Sequence, residues 1–266
     1  MNFIIVNLFL LLYFFLVSFY TINNKGFKIT FKKNILKKRL NQTNVLILTT
    51  TGSFALTYIM AFYSDIFLFW YVRLVFILLS LMGALWIWFS NTSKHKNLVF
   101  LILIFAISRF IYPNFLTHNL FVIFSIFWIA PVLQSYNLMS KKGFIWLTIG
   151  WFVYDLSFVW LTSLSETTFA QNESTGFPLG IFYKNLFIGS GDLIWGAFLL
   201  SLIKDISKYY VSVILVFINL LISFVFFNIL QIHSIPLITF WGPIGLLILF
   251  YFYNKPKKGF LGRFFI

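Results

Sequence analysis

The sequence predicts an all-α polytopic membrane protein, a bundle of nine transmembrane helices. Three observations carry that expectation. Hydrophobic residues make up 61% of the 266 positions and charged residues 10%, against about 45 to 50% and about 25% in soluble domains. Apolar runs of about 20 residues, the length that crosses about 30 Å of hydrocarbon, recur along the chain. Finally, the basic residues fall into alternate connections between those runs, the pattern that fixes orientation across a membrane.

The first run, 3–21, has no basic residues ahead of it and no small-residue cleavage site behind it, so it reads as a retained helix rather than a cleaved leader. The second and third, 44–63 and 66–90, are parted only by a turn at Ser64-Asp65. A short fourth run covers 97–112, followed by 117–138, 143–163, 180–203, 209–231 and 235–254. Lysine and arginine play no part in drawing these limits. They cluster after the first run (Lys25, Lys28, Lys32, Lys33, Lys37, Lys38, Arg39), then at Lys94 and Lys96, Lys141 and Lys142, Lys204 and Lys208, and in the tail at Lys255, Lys257, Lys258 and Arg263. The opposite side holds Arg109 and Lys184 with Asp65, Glu166 and Glu173. Seventeen basic residues against two place the amino terminus outside and the carboxyl terminus in the cytoplasm. The Phe264-Phe265-Ile266 end carries no retrieval signal, which favours a cell membrane.

The net charge of +14 belongs to those loops, and no base-stacking or groove-reading motif accompanies it, so no nucleic-acid partner is expected. With no cysteine, disulfides, thiolate catalysis and thiolate metal sites are excluded. His95, His118 and His233 fall in different loops or helix ends without ligand spacing, so neither a metal nor a cofactor is expected. Arg73 is the one basic residue left over, well inside the third run. It reads as a snorkelling or interhelical partner, with substrate contact as the other use. The outer loop 163–179 contains an Asn172-Glu173-Ser174 sequon that reads as coincidence.

Two acids stand inside apolar runs, Asp155 in the sixth and Asp192 in the seventh. Each costs about 2.5 to 3.5 kcal/mol to insert, so an intramembrane carboxylate marks a functional site. The two runs share the outer loop and run antiparallel. Counted from that side, the acids lie roughly 12 and 18 Å deep at 1.5 Å per residue, at similar level. Gly189, Ser190, Gly191, Gly196 and Ala197 are small enough for close helix packing. Two carboxylates meeting in an apolar interior cannot both carry a charge, and they titrate as a pair. One can then act as general base on a water while its protonated partner polarises a carbonyl. Read from spacing alone, the pair could equally be interhelical hydrogen-bond partners or a proton relay.

Tyr154-Asp155 in FVYDLSFV and Gly189-Ser190-Gly191-Asp192 in GSGDLIWGAFLL, on the sixth and seventh of nine spans, resemble the presenilin and signal peptide peptidase family, the GxGD intramembrane aspartyl proteases. The resemblance covers roughly the last half of the chain. It implies a presenilin-like bundle, with 1–142 as a scaffold of helices 1 to 5 and 143–266 as catalytic helices 6 to 9. It also implies Asp155 and Asp192 as the catalytic pair, Tyr154 as a supporting neighbour, and Gly189 and Gly191 as the residues that set local packing. The family's PAL tripeptide is absent from the ninth span. Pro236-Leu237 stands at the corresponding helix start, and Pro243-Ile244 one or two turns deeper is the other counterpart. A proline there frees backbone groups beside the site, where an extended substrate could pair with main chain. The expected orientation resembles signal peptide peptidases, which implies substrates with cytoplasmic amino termini: residual signal peptides or type II helices within the lipid bilayer. The competing readings are a proton-coupled transporter using the acids as a relay and an inactive scaffold binding single-span helices. A prepilin-peptidase-like enzyme is disfavoured by the YD context.

Overall fold

The computed structural model describes residues 2–23, 65–89, 95–135, 140–157, 180–184, 186–203, 207–226 and 237–253, with isolated positions at 47, 51, 52 and 55. These residues are mostly helical: α1 (Asn2–Asn23), α2 (Asp65–Phe89), α3 (Asn97–Ile111), α4 (Phe115–Ile126), α5 (Ile129–Ser135), α6 (Lys141–Asp155), α7 (Ser190–Leu202), α8 (Ser207–Phe224) and α9 (Leu237–Tyr253). A two-stranded hairpin, β1 (Gly180–Tyr183) and β2 (Leu186–Gly189), precedes α7 directly. Four segments are long and apolar enough to cross a membrane: Phe3–Ile22, Trp70–Phe89, Phe115–Gln134 and Ser207–Phe224. Residues 97–111, 190–202 and 237–251 form shorter apolar helices. The protein is therefore a helical membrane protein. The expected second span at 44–63, the basic loop after the first span and the outer loop 163–179 lie outside the described residues, apart from the isolated positions in 44–63.

Helix faces sort by what they touch. On α3, Phe100, Ile104, Ile107 and Ile111 recur at helical spacing and are all exposed, while Leu98, Val99 and Ile102 are buried. A stripe of that size facing water would be an aggregation surface, and facing lipid it is the ordinary exterior. On α1, Val6, Leu10, Tyr13, Phe14 and Val17 form the inner face. This helix packs along α8, where polar side chains join the two inside the bundle: Asn219 Nδ2 donates to Asn7 Oδ1 at 3.0 Å, Ser18 and Ser212 share a hydrogen bond at 3.2 Å, and Lys208 Nζ donates to Thr21 Oγ1 at 2.9 Å. Such pairs hold apolar helices together where lipid offers no hydrophobic driving force between them.

The same helix also touches α7 and the hairpin. One contiguous core links α1 to the helices after 142, so the amino-terminal part and the carboxyl-terminal helices share an interior. Helices α4 and α5 follow one another with a break at Phe127-Trp128. Pro131 explains the break, because it has no N–H to return to the Phe127 carbonyl one turn earlier.

One expectation is corrected here. The seventh span does not run as a helix from 180 to 203: its first ten residues are the hairpin, and only 190–202 is helical. The stretch GIFY-KN-LFIG carries two four-residue apolar runs rich in β-branched and aromatic residues around a polar pair, which is a hairpin pattern. An unbroken apolar count of 24 residues cannot separate that from a buried helix.

Candidate functional site

Asp155 is the last residue of α6 before a π turn at Leu156-Ser157, and it is 7% exposed. Its carboxylate is stabilised from elsewhere. Asp155 Oδ2 accepts the backbone N–H of Ile238 at 3.0 Å and the carboxylate also accepts the N–H of Thr239. Those are the second and third residues of α9, donors that a helix start leaves without a partner of its own. Asp155 thus caps the final helix across a gap of 83 residues in sequence. The Thr239 hydroxyl beside it is buried with no hydrogen-bond partner among the described residues.

Asp192 is built differently. Gly189 is the N-cap of α7 with φ −63 and ψ 149, and Asp192 is the third helical residue. The Asp192 carboxylate folds back over the Gly189 backbone, the placement of the N3 acid in a capping box. A Cβ at position 189 would stand 3.2 Å from Asp192 Oδ2, so the residue there must be small for the carboxylate to fold back over it.

The hairpin delivers Gly189. In its register Gly180 pairs with Gly189, Ile181 with Ile188, Phe182 with Phe187 and Tyr183 with Leu186. Two residues make the turn, and Lys184 takes φ 53, the left-handed conformation that two-residue hairpin loops use. The Phe182 N–H donates to Asn119 Oδ1 at 2.9 Å, and Asn119 Nδ2 donates to the Phe182 carbonyl at 2.8 Å. Both main-chain groups of Phe182 therefore point away from β2. By the alternation of antiparallel pairs, Gly180 and Gly189 also sit at a position not bonded across the ladder, and the Gly189 N–H is left for Asp192. A Cβ at Gly180 would collide with the Ile188 carbonyl. Gly180→Ala is expected to open the hairpin, read as faster amide exchange at Ile181 and Ile188 with α1 and α8 unchanged.

Asp155 and Asp192 lie within electrostatic reach of each other, and α6 and α9 pack together while both touch α7. Asp155 faces the amino terminus of α9, and Asp192 stands in the first turn of α7. Behind them is an aromatic layer. Trp195, one turn beyond Asp192, donates its Nε1–H to Thr148 Oγ1 at 3.0 Å and stacks with Phe144 at 5.4 Å and Trp241 at 6.1 Å between ring centres. Among the described residues no group of three His, Asp or Glu side chains could hold a metal ion. What the arrangement offers is proton chemistry: two acids in an apolar wall, each oriented by main-chain donors.

No family model matches the chain, and no curated protein or solved structure matches it either. The site must be read from its own residues.

Of the residues expected at the site, Asp155 and Asp192 come together, Tyr154 is half-buried next to Asp155, and Gly189 contacts the Asp192 carboxylate. Gly191 is exposed, and a Cβ there would meet no atom within 4 Å. Gly196, also expected to allow close packing, lies against Phe14, and Gly245 lies against Trp195. Gly191→Ala is expected to leave the fold unchanged, with a melting temperature within experimental error of the original. Leu237 is buried at the start of α9, one residue before the donor to Asp155. Pro236 lies outside the described residues. Pro243 is inside α9 and exposed, more than a turn beyond the Asp155 contact.

Sequence patterning does not single out Thr148, Arg109, His118 or Asn119. Arg109 Nε donates to His118 Nδ1 at 3.1 Å, and His118 Nε2 lies 3.1 Å from the Gly180 carbonyl. All three of Arg109, His118 and Asn119 are buried. The signal is present as a His-Asn pair followed by an apolar run, with an arginine nine residues earlier.

Proposed function

We propose that this protein is an intramembrane aspartyl endopeptidase that hydrolyses peptide bonds within transmembrane segments or residual signal peptides. The observation that carries the reading is the pairing of Asp155 and Asp192 inside a helical membrane protein, each held by backbone N–H groups at a helix start. The proposal includes nine spans, a presenilin-like arrangement, an outside amino terminus and a cytoplasmic carboxyl terminus in a cell membrane. Its partners are single-span substrate helices, with no cofactor required.

A transmembrane substrate keeps its amides in its own hydrogen bonds and must be locally unwound before water can attack. The site suits an unwound segment because its own backbone is non-helical there: β2 runs straight into Gly189, and α9 begins beside Asp155. One carboxylate takes a proton from water as the oxygen bonds to the carbonyl carbon. The protonated partner gives its proton to the carbonyl oxygen, and a tetrahedral gem-diol forms. Proton transfer to the amide nitrogen then breaks the C–N bond, releasing a carboxylic acid and an amine and returning the shared proton. The Thr239 hydroxyl adds a hydrogen-bonding group beside Asp155 for the water or the substrate backbone.

The test uses the purified full-length chain in nanodiscs with a synthetic signal-peptide helix labelled at both ends. Cleavage products identified by mass spectrometry, absent in Asp192→Asn, are the expected result. Helix α7 begins beside an intramembrane acid, a discontinuity that a proton-coupled transporter also uses. Proton flux in liposomes with no cleavage of any helix would establish that second reading instead.

A further inference from the structure

Arg109, His118 and Asn119 form a buried polar cluster more than sixty residues before the hairpin in sequence, and His118 and Asn119 both bond to the main chain of β1. Arg109 Nε can only donate, so His118 Nδ1 accepts, and the ring proton sits on Nε2. Nε2–H then donates to the Gly180 carbonyl. Asn119 presents its amide to Phe182 as a neighbouring strand would, donor to carbonyl and carbonyl to N–H. The cluster is costly to bury, yet it is satisfied bond by bond and faces one short strand. Along the hairpin, Gly180 is opposite Gly189, and the Asp192 carboxylate lies over Gly189. Contacts therefore run from Arg109 through His118, Asn119 and the hairpin to the Asp192 carboxylate.

We propose that Arg109, His118 and Asn119 are positioning residues for Asp192: they lock β1 on the side away from β2, and through the β1–β2 ladder they fix where the Asp192 carboxylate sits relative to Asp155. This rests on the endopeptidase reading for its kinetic consequence but not for its structural one. A helix-start carboxylate can rotate among several acceptor positions. Only a fixed Gly189 holds it to one, and a displacement of about 1 Å costs roughly 100-fold in rate.

The experiment uses the full-length protein in nanodiscs with carboxyl-13C aspartate, whose four positions (Asp65, Asp155, Asp192, Asp205) are assigned by single Asn substitutions. Asn119→Ala and His118→Phe are expected to speed amide exchange at Ile181 and Ile188 and to shift the Asp192 carboxyl resonance, with Asp65 and Asp205 unmoved. With the doubly labelled signal-peptide helix as substrate, kcat falls roughly 10- to 100-fold while KM stays within about twofold. His118→Gln, which keeps a donor where Nε2 stands, recovers most of both changes. Unchanged exchange and an unchanged Asp192 resonance in Asn119→Ala overturn the proposal. So does a loosened hairpin with the resonance and kcat unaltered, since the cluster then holds a strand and nothing more. If the original protein cleaves nothing while Asn119→Ala still shifts the Asp192 resonance, the endopeptidase reading fails and the positioning chain stands.

Discussion

Asp155→Asn and Asp192→Asn are each expected to lower cleavage of a membrane-embedded helix by about 1,000- to 10,000-fold, the range for loss of a required acid or base. The amide is the better replacement than alanine, for reasons visible at each site. Asp155→Asn keeps an oxygen to accept the Ile238 and Thr239 N–H groups, and Asp192→Asn keeps one for Gly189, so the start of each helix stays satisfied. Asp155→Ala would leave two buried donors without an acceptor, at about 1 to 3 kcal/mol for a buried group so stranded, and lost activity could then be lost structure. The two single variants and the double variant should be equally dead, because a pair that shares one proton works as a unit. Circular dichroism and thermal melting on the same nanodisc samples establish that the bundle is intact. Turnover above a few per cent in either amide variant would remove that acid from the mechanism, and turnover in the double variant would remove the mechanism.

The distribution of side chains explains how much of this is legible in one dimension. Apolar length and basic loops are one-dimensional signals. They place α1, α2, α3 and α9, and the start of α8, within a few residues of the expected spans. They also bring Asp155 and Asp192 to one place, because two acids in apolar runs that share a loop have few other ways to be buried. The hairpin is hidden because its residues are as apolar as a helix, and only the Lys184-Asn185 pair interrupts them. The local chemistry of the acids is hidden for a related reason. A count of depth treats a span as an uninterrupted helix, whereas in the seventh span a strand leads into the helix and Asp192 stands in the first turn of α7. His118 and Asn119 look like ordinary helix-end residues in the sequence. Their meaning depends on Gly180 and Phe182, whose proximity only the tertiary structure supplies.

Trp195→Ala is expected to cause the largest loss of stability of any single change in the interior, about 3 to 5 kcal/mol by the usual cost of emptying a large aromatic site. The helix faces that join the acids also carry this side chain. Asp192 and Trp195 are three residues apart on α7, Thr148 and Asp155 seven apart on α6, and Ile238, Trp241, Gly242 and Gly245 follow the same spacing on α9, so each set shares one side of its helix. Trp195 fills the space where the three faces meet, fully buried, with Phe144 and Trp241 against its ring and Thr148 accepting its N–H. Gly245 leaves room for it, since a Cβ there would run into the indole. Trp195→Phe separates the two contributions. It keeps most of the ring contact and strands only the Thr148 acceptor, at about 1 kcal/mol for a hydrogen bond. Gly245→Val attacks the same contact from the opposite helix, at about 1 to 3 kcal/mol for overpacking. Melting temperatures in one lipid and detergent mixture should therefore fall in the order Trp195→Phe, Gly245→Val, Trp195→Ala. Cleavage should fall with them, because a wedge one turn behind the acids cannot be removed without changing their separation. A Trp195→Ala protein that melts like the original would mean that the three faces are held together elsewhere, and the shared register of acids and wedge would lose its energetic basis.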